Sequence, residues 1–267
     1  MSFVAPKLVI TPLLIASASL AGRRWGAITS GWLLALPLTS GPIALFVSLD
    51  LGMTAGAQVA AGSLLGATAQ VAFCLAYAAA TARFGWRACL AIGSATYAIA
   101  ALALNALLLT SVPTVALFAL AVATTLLALA VPILRPGRPD AALTVVRPGR
   151  WDIPARAVVA TILVLAISGA APIVGGHVAG LLATFPVYVS VLTTFAHRIG
   201  GATQARGVLR GLVLGLPGFA TFFLAIAAFV ESPGIVPAFA LALAAAIGLN
   251  VATLAVVMRT DPRAAVG

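Results

Sequence analysis

Two prolines mark the places where side chains of this chain could do chemistry. Pro37 and Pro186 each interrupt a long apolar run. Trp32, Thr39 and Ser40 stand near the first, and Thr184, Tyr188, Ser190, Thr193 and Thr194 near the second. A proline inside a helix removes a backbone hydrogen bond and frees a carbonyl. In lipid such a break is tolerated only where protein or a water-filled cavity satisfies the backbone. The chemistry on offer is recognition by hydrogen bonding in a neutral pocket, with these side chains as substrate-binding candidates. The competing explanation for each hydroxyl is an ordinary kink, with Ser and Thr bonding their own backbone. Asn105, Asn250 and Gln70 also lie within apolar runs, where polar side chains are costly. Each reads equally as ligand contact or as interhelical glue. Asp50 and His197 end apolar runs and are candidates for a proton relay, His because it titrates near neutrality. Interfacial helix termini explain that pair as well.

Other chemistries find no residues to carry them. Cys74 and Cys89 form no CxxC pair, and His177 and His197 lack HExxH spacing, so no metal site is expected. There is no P-loop, and no GxGxxG opens a helix. No acidic residue falls in the middle of an apolar run, which disfavours a strongly cationic substrate. No paired carboxylates or Ser/His/Asp set share one depth. The expectation is a protein that is not an enzyme and takes no cofactor.

The elements that position these residues are membrane helices. Of 267 residues, 63% are hydrophobic and 7% charged, against about 25% charged in soluble domains. A net charge of +10 would point to nucleic acid on a soluble chain. Here the basic residues separate long apolar runs, so no nucleic-acid partner is expected. Crossing the bilayer takes ~20 apolar residues. Charges and turn formers predict nine spans, near 5–22, 25–49, 55–82, 88–110, 113–134, 155–171, 175–197, 206–230 and 235–258. The first is read as a retained segment, not a signal peptide. All fourteen Arg follow odd-numbered spans. Lys and Arg mark cytoplasmic loops, which sets the N-terminus outside and the C-terminus inside. Trp25, Trp86 and Trp151 flank the Arg clusters, as an interfacial belt would. The linker from Arg135 to Arg156 contains Arg-Pro-Gly-Arg twice, suited to anionic lipid headgroups. The Arg-, Ala- and Gly-rich composition suggests a bacterial inner membrane.

Sliding the chain on itself by 149 positions lays Pro37 on Pro186, Gly52 on Gly201, Gly62 and Gly66 on Gly211 and Gly215, Phe73 on Phe222 and Gly85 on Gly234. Spans 1–4 then match spans 6–9, and span 5, a single extra crossing, inverts the second half. The predicted organisation is a first repeat over 1–112, a linking helix and basic linker over 113–156, and a second, inverted repeat over 157–267. The fold class expected is an all-α polytopic membrane protein. Inverted repeats characterise secondary transporters, with the site at the repeat interface; spans 2 and 7, with the short spans 1 and 6, would line the path. The paired Gly62/Gly66 and Gly211/Gly215 read as close-packing faces, and Leu216-Pro217-Gly218 as a kink in span 8.

The stretch Val178-Ala179-Gly180-Leu181-Leu182-Ala183-Thr184-Phe185-Pro186, continued through Ser190, Phe195, Ala196 and His197, resembles GlpM-like small bacterial inner-membrane proteins. Pro186 and His197 match best, and the first half has Ser48 where the second has His197. The likeness covers spans 6–9 and implies no activity. The two inverted halves are similar in architecture to the drug/metabolite transporter superfamily, whose members commonly have ten helices; this chain lacks the tenth. The function expected is a secondary transporter or facilitator for a small neutral or anionic metabolite or lipid-derived molecule, with homo-oligomer formation open. The alternative is a non-transporting scaffold or accessory subunit of a membrane complex.

Overall fold

The computed structural model describes residues 4–37, 40–108, 112–134, 153–155, 157–159, 161–162, 184–232 and 234–260. Most of spans 6 and 7 up to residue 183, the Arg-rich linker, His177 and Thr39 lie outside the described residues. Every regular element among those described is helical: α1 (Val4–Leu33), α2 (Ser40–Leu51), α3 (Met53–Ala80), α4 (Trp86–Leu108), α5 (Thr114–Ala130), a 3-10 turn (Pro132–Leu134), α6 (Val187–Phe229) and α7 (Ile235–Thr260). Four of these, α3, α4, α6 and α7, are long and apolar enough to cross a membrane. With 17 residues, α5 spans about 26 Å.

The core is built on α3 and α6. In the most apolar stretch of each, 72% and 67% of residues are buried, against 17% in α4 and 22% in α7. Small residues allow this. Gly31 packs on the backbone of Val208 and Leu212, and Gly211 on that of Ile28 and Trp32, so closely that a Cβ at either would overlap a carbonyl. Lipid tails give no hydrophobic drive to helix pairing, and close contact of small residues supplies van der Waals energy instead.

α3 and the later part of α6 run antiparallel. At one end Arg206 Nε donates to Thr81 Oγ1 at 3.0 Å. At the other, Thr54 Oγ1 donates to Glu231 Oε1 at 3.4 Å. The end carrying Thr81 also carries Arg83, Arg87 and, through Gly207 packed on Ala27, the bend after Arg24. There Arg24 lies over Trp25 and Arg87 over Trp86, 5.6 and 5.1 Å from the ring centroids.

Several boundaries differ from those expected. The first helix does not end at Arg23–Arg24: helical residues continue to Leu33, and the bend falls at Gly26, with φ 88°. Spans 7 and 8 are not separated by a loop over 198–205. They are two arms of α6, joined at Gly201, the one position in it with non-helical backbone angles. Gly52 (φ 94°, ψ 166°) and Gly201 (φ 71°, ψ −168°) share a backbone conformation open only to glycine, so one residue does the work of a turn at both places. Pro217 lies within α6, and the helix continues through it.

Candidate functional site

The two proline breaks face each other. After Leu33 the chain unwinds through 34–37. Leu34 N, Ala35 N and Leu36 N donate back to the carbonyls of Gly31, Trp32 and Leu33 at 3.1, 3.1 and 3.4 Å, a 3-10 tightening of the last turn. Pro37 can donate nothing, and helix resumes at Ser40, with Gly41 N bonded to Pro37 O at 2.9 Å. In the second break Val187 N bonds Phe185 O and Ser190 N bonds Pro186 O, both at 2.7 Å. Each proline thus starts a helix whose preceding hydrogen bond it could not complete.

Between the breaks lies a small cavity of about 30 Å³, room for a water or two. Leu34, Ala35, Leu36 and Ser40 line it from one side, and Thr184–Val189 from the other. Gln70 of α3, with Leu212 and Phe219 of α6, closes it. Among the described residues no charged side chain lines it.

The two walls are related by the 149-residue offset. A Cβ at Gly66 would meet the Thr184 side chain, and a Cβ at Gly215 would meet Ala35. These are the same contact made twice, because Gly66 matches Gly215 and Ala35 matches Thr184. The buried stripe of α4 is Cys89, Gly93, Tyr97 and Ala101. That of α7 is Ala238, Ala242, Ala246 and Asn250, position for position at the same offset.

The polar wall belongs to the second break. Gln70 Nε2 donates to Thr184 O, and Tyr97 Oη and Thr184 Oγ1 share a hydrogen bond of 2.9 Å. Phe185 stands edge-on to the Tyr97 ring, centroids 5.2 Å apart. On the first break Ser40 is 1% exposed, and its Oγ has no hydrogen-bond partner among the described residues.

Of the binding candidates, Ser40, Thr184, Pro186 and Tyr188 line the cavity. Pro37 is buried just behind it, within reach of Gly41. Trp32 points elsewhere: its Nε1 donates to Asn250 O at 3.1 Å, tying the first break to α7. Asn250 is buried against Gly218, its side-chain amide without a hydrogen-bond partner among the described residues. Ser190 Oγ is turned back onto Val187 O at 2.8 Å, the kink arrangement rather than a ligand contact. Thr193, Thr194 and Asn105 do not line the cavity. His197 Nδ1 lies 3.3 Å from Tyr77 Oη, near the arginine end. Asp50 lies in α2 just before Gly52, at the opposite end of the bundle. Among the described residues no three His, Cys, Asp or Glu side chains gather.

Among the described residues, Gln70 from the third span and Leu212 and Phe219 from the eighth also line the cavity. Close packing of Gly31 and Gly211 brings α1 and α6 together beside it. Tyr97 is not among the candidates named from the sequence, although it carries the one hydroxyl in the i, i+4 stripe from Cys89 to Ala101.

Compared with known proteins, the chain matches no family model, no curated protein and no solved structure.

Proposed function

We propose that the chain is a secondary transporter or facilitator of a small neutral or anionic molecule, working by alternating access between two inverted repeats in a bacterial inner membrane. The observation that carries this reading is the cavity itself. It is lined by two broken helices, one from each half, that meet at matching positions. The antiparallel run of α3 against the later arm of α6 supports the inversion, since these are equivalent helices of the two halves. The doubled Gly–residue contact and the matching stripes of α4 and α7 support a common fold. One local structure in two orientations has two equivalent conformations, and exchanging them opens the cavity to opposite sides. Nine spans, an outer N-terminus and a cytoplasmic arginine end follow from the positive-inside rule. A relationship to GlpM-like proteins rests on the Gly180–His197 stretch alone.

The test is flux through purified full-length protein in liposomes, assayed over a panel of small anions and uncharged solutes. The Pro37→Ala, Pro186→Ala double variant is expected to lose transport while its membrane abundance holds. Unaltered flux in that variant contradicts the reading, and absence of flux for every solute favours a scaffold.

A further inference from the structure

One seam of the bundle joins the cavity to the arginine end. Gln70 and Tyr77, two turns apart on α3, stand at its two ends. Gln70 Nε2 donates to Thr184 O beside the cavity. About 10 Å further along α3, Tyr77 Oη lies 3.3 Å from His197 Nδ1, with the two rings edge to face. Between these contacts α3 and the first arm of α6 run side by side in the same direction.

The α6 side of the seam is polar. Val187 lines the cavity. Ser190, Thr193, Thr194 and His197 follow it at i+3, i+6, i+7 and i+10, the spacing of a single helix face. Ser190 Oγ is spent on Val187 O. Thr193 is 0% exposed, and its Oγ1 has no hydrogen-bond partner among the described residues. Thr194 stands beside the Tyr77 hydroxyl. The fold does not demand this polarity. At the matching positions of α2 stand Gly41, Ala44, Leu45 and Ser48, and Ser48 Oγ donates back to Ala44 O at 2.7 Å. The same helix face in the other half is thus apolar, apart from one serine turned onto its own backbone. A hydroxyl shut away from water without a partner is costly, and at Thr193 packing offers no return for that cost.

We propose that this seam is the passage between the cavity and the arginine end, along which Thr193 and Thr194 hydrogen-bond a small uncharged polar solute, and that the Tyr77–His197 contact closes it. The inference rests on the transport reading, whose cavity it continues, and narrows the substrate from neutral or anionic to neutral. A hydroxyl donates to or accepts from a solute in place of water. An ion would leave water without a fixed counter-charge, since neither the cavity wall nor the polar face holds an Arg, Lys, Asp or Glu among the described residues. The unpartnered Thr193 hydroxyl is what a closed passage leaves behind, and parting Tyr77 from His197 lets water or solute reach it.

Two readouts on the full-length protein separate the passage from transport itself. The first is labelling of Thr193→Cys, with Cys74 and Cys89 replaced by alanine, by a small membrane-impermeant methanethiosulfonate from the arginine face. The rate is expected to rise about tenfold in Tyr77→Phe, equally in His197→Ala, and no further in the pair, because both break one contact. Ala44→Cys, at the matching position of α2, is expected to stay unlabelled from that face. The second is flux of urea, glycerol, acetate and chloride through liposomes. Urea or glycerol flux is expected to fall about tenfold in the Thr193→Val, Thr194→Val double variant, which keeps the side-chain shapes and removes the hydroxyls, and to hold within about twofold in Thr125→Val of α5. Acetate and chloride are expected to cross no faster than in empty liposomes. A Thr193→Cys that stays unreactive in both closure variants overturns the passage, and solute flux in that protein leaves the transport reading standing. Labelling that depends on Tyr77 and His197, with no flux of any solute, upholds the passage and overturns transport. Flux indifferent to loss of both hydroxyls, or confined to the anions, overturns the assignment of the solute.

Discussion

The two breaks that enclose the cavity share a backbone plan and differ in chemistry. At the second, Thr184 gathers Tyr97 and Gln70 around it. At the first, the equivalent positions are Ala35, Ala246 and Phe219, and the wall is apolar apart from Ser40. The break before α2 is tied instead through Trp32 to Asn250, so each outer helix reaches the break of the other half with one polar contact. Matching architecture with unmatched side chains separates two roles. The shared features, glycine contacts and proline breaks, hold the halves together, and the unshared ones give the site a direction.

The strongest test of that division lies in the glycines. Gly31→Ala and Gly211→Ala put a methyl against backbone that cannot step aside. Overpacking of this kind costs about 1–3 kcal/mol or more, and the folded fraction in fluorescence-detected size exclusion should fall sharply for both. Gly66→Ala presses on Oγ1 and Cβ of Thr184, and Gly215→Ala on Cβ of Ala35 and the carbonyl of Trp32; a Cβ moves only with its backbone, so losses of the same order are expected. Wild-type folding in any of the four would remove the close glycine contacts from the account.

Next in size is Gln70→Leu. It leaves Thr184 O buried without its donor, which costs about 1–3 kcal/mol, and should lower the thermal unfolding midpoint while distorting the polar wall. Phe219→Leu at the matching position strips no polar group of its partner, so its loss comes from packing alone. A deeper effect on ligand affinity from Phe219→Leu than from Gln70→Leu would reverse the assignment of the two walls. The smallest effects belong to Tyr97→Phe and Trp32→Phe, each removing one interhelical hydrogen bond worth about 0.6 kcal/mol in membranes. Thermal shifts of the two should be similar, but only Tyr97→Phe, which touches the cavity wall, should alter ligand affinity.

Much of this arrangement was legible in the residues. Pro37 and Pro186 could be located as helix breaks because proline has no N–H wherever it occurs. The 149-residue offset rests on Gly and Phe at matching spacing, which stand out in an Ala/Leu-rich chain. Less legible were the turns at Gly26 and Gly201: Arg clusters suggested longer loops, but one glycine with positive φ bends the chain alone. The role of Gln70 and Tyr97 was hidden for a different reason. A lone polar residue in an apolar helix looks the same whether it faces a neighbour or a cavity, and only packing decides which. The central place of α6 was equally silent, since it follows from glycine-to-backbone contacts between helices far apart in sequence.

The central claim is that one cavity, set between oppositely oriented halves, opens in turn to both sides. Single cysteines at Leu36, Thr54 and Arg206, in a background without the buried Cys74 and Cys89, test it through labelling by a membrane-impermeant maleimide from each face of the membrane. The account predicts that Thr54→Cys reacts from one face, Arg206→Cys from the other, and Leu36→Cys from both. A Leu36→Cys that reacts from neither face or only one, or Thr54→Cys and Arg206→Cys labelled from the same side, would contradict it.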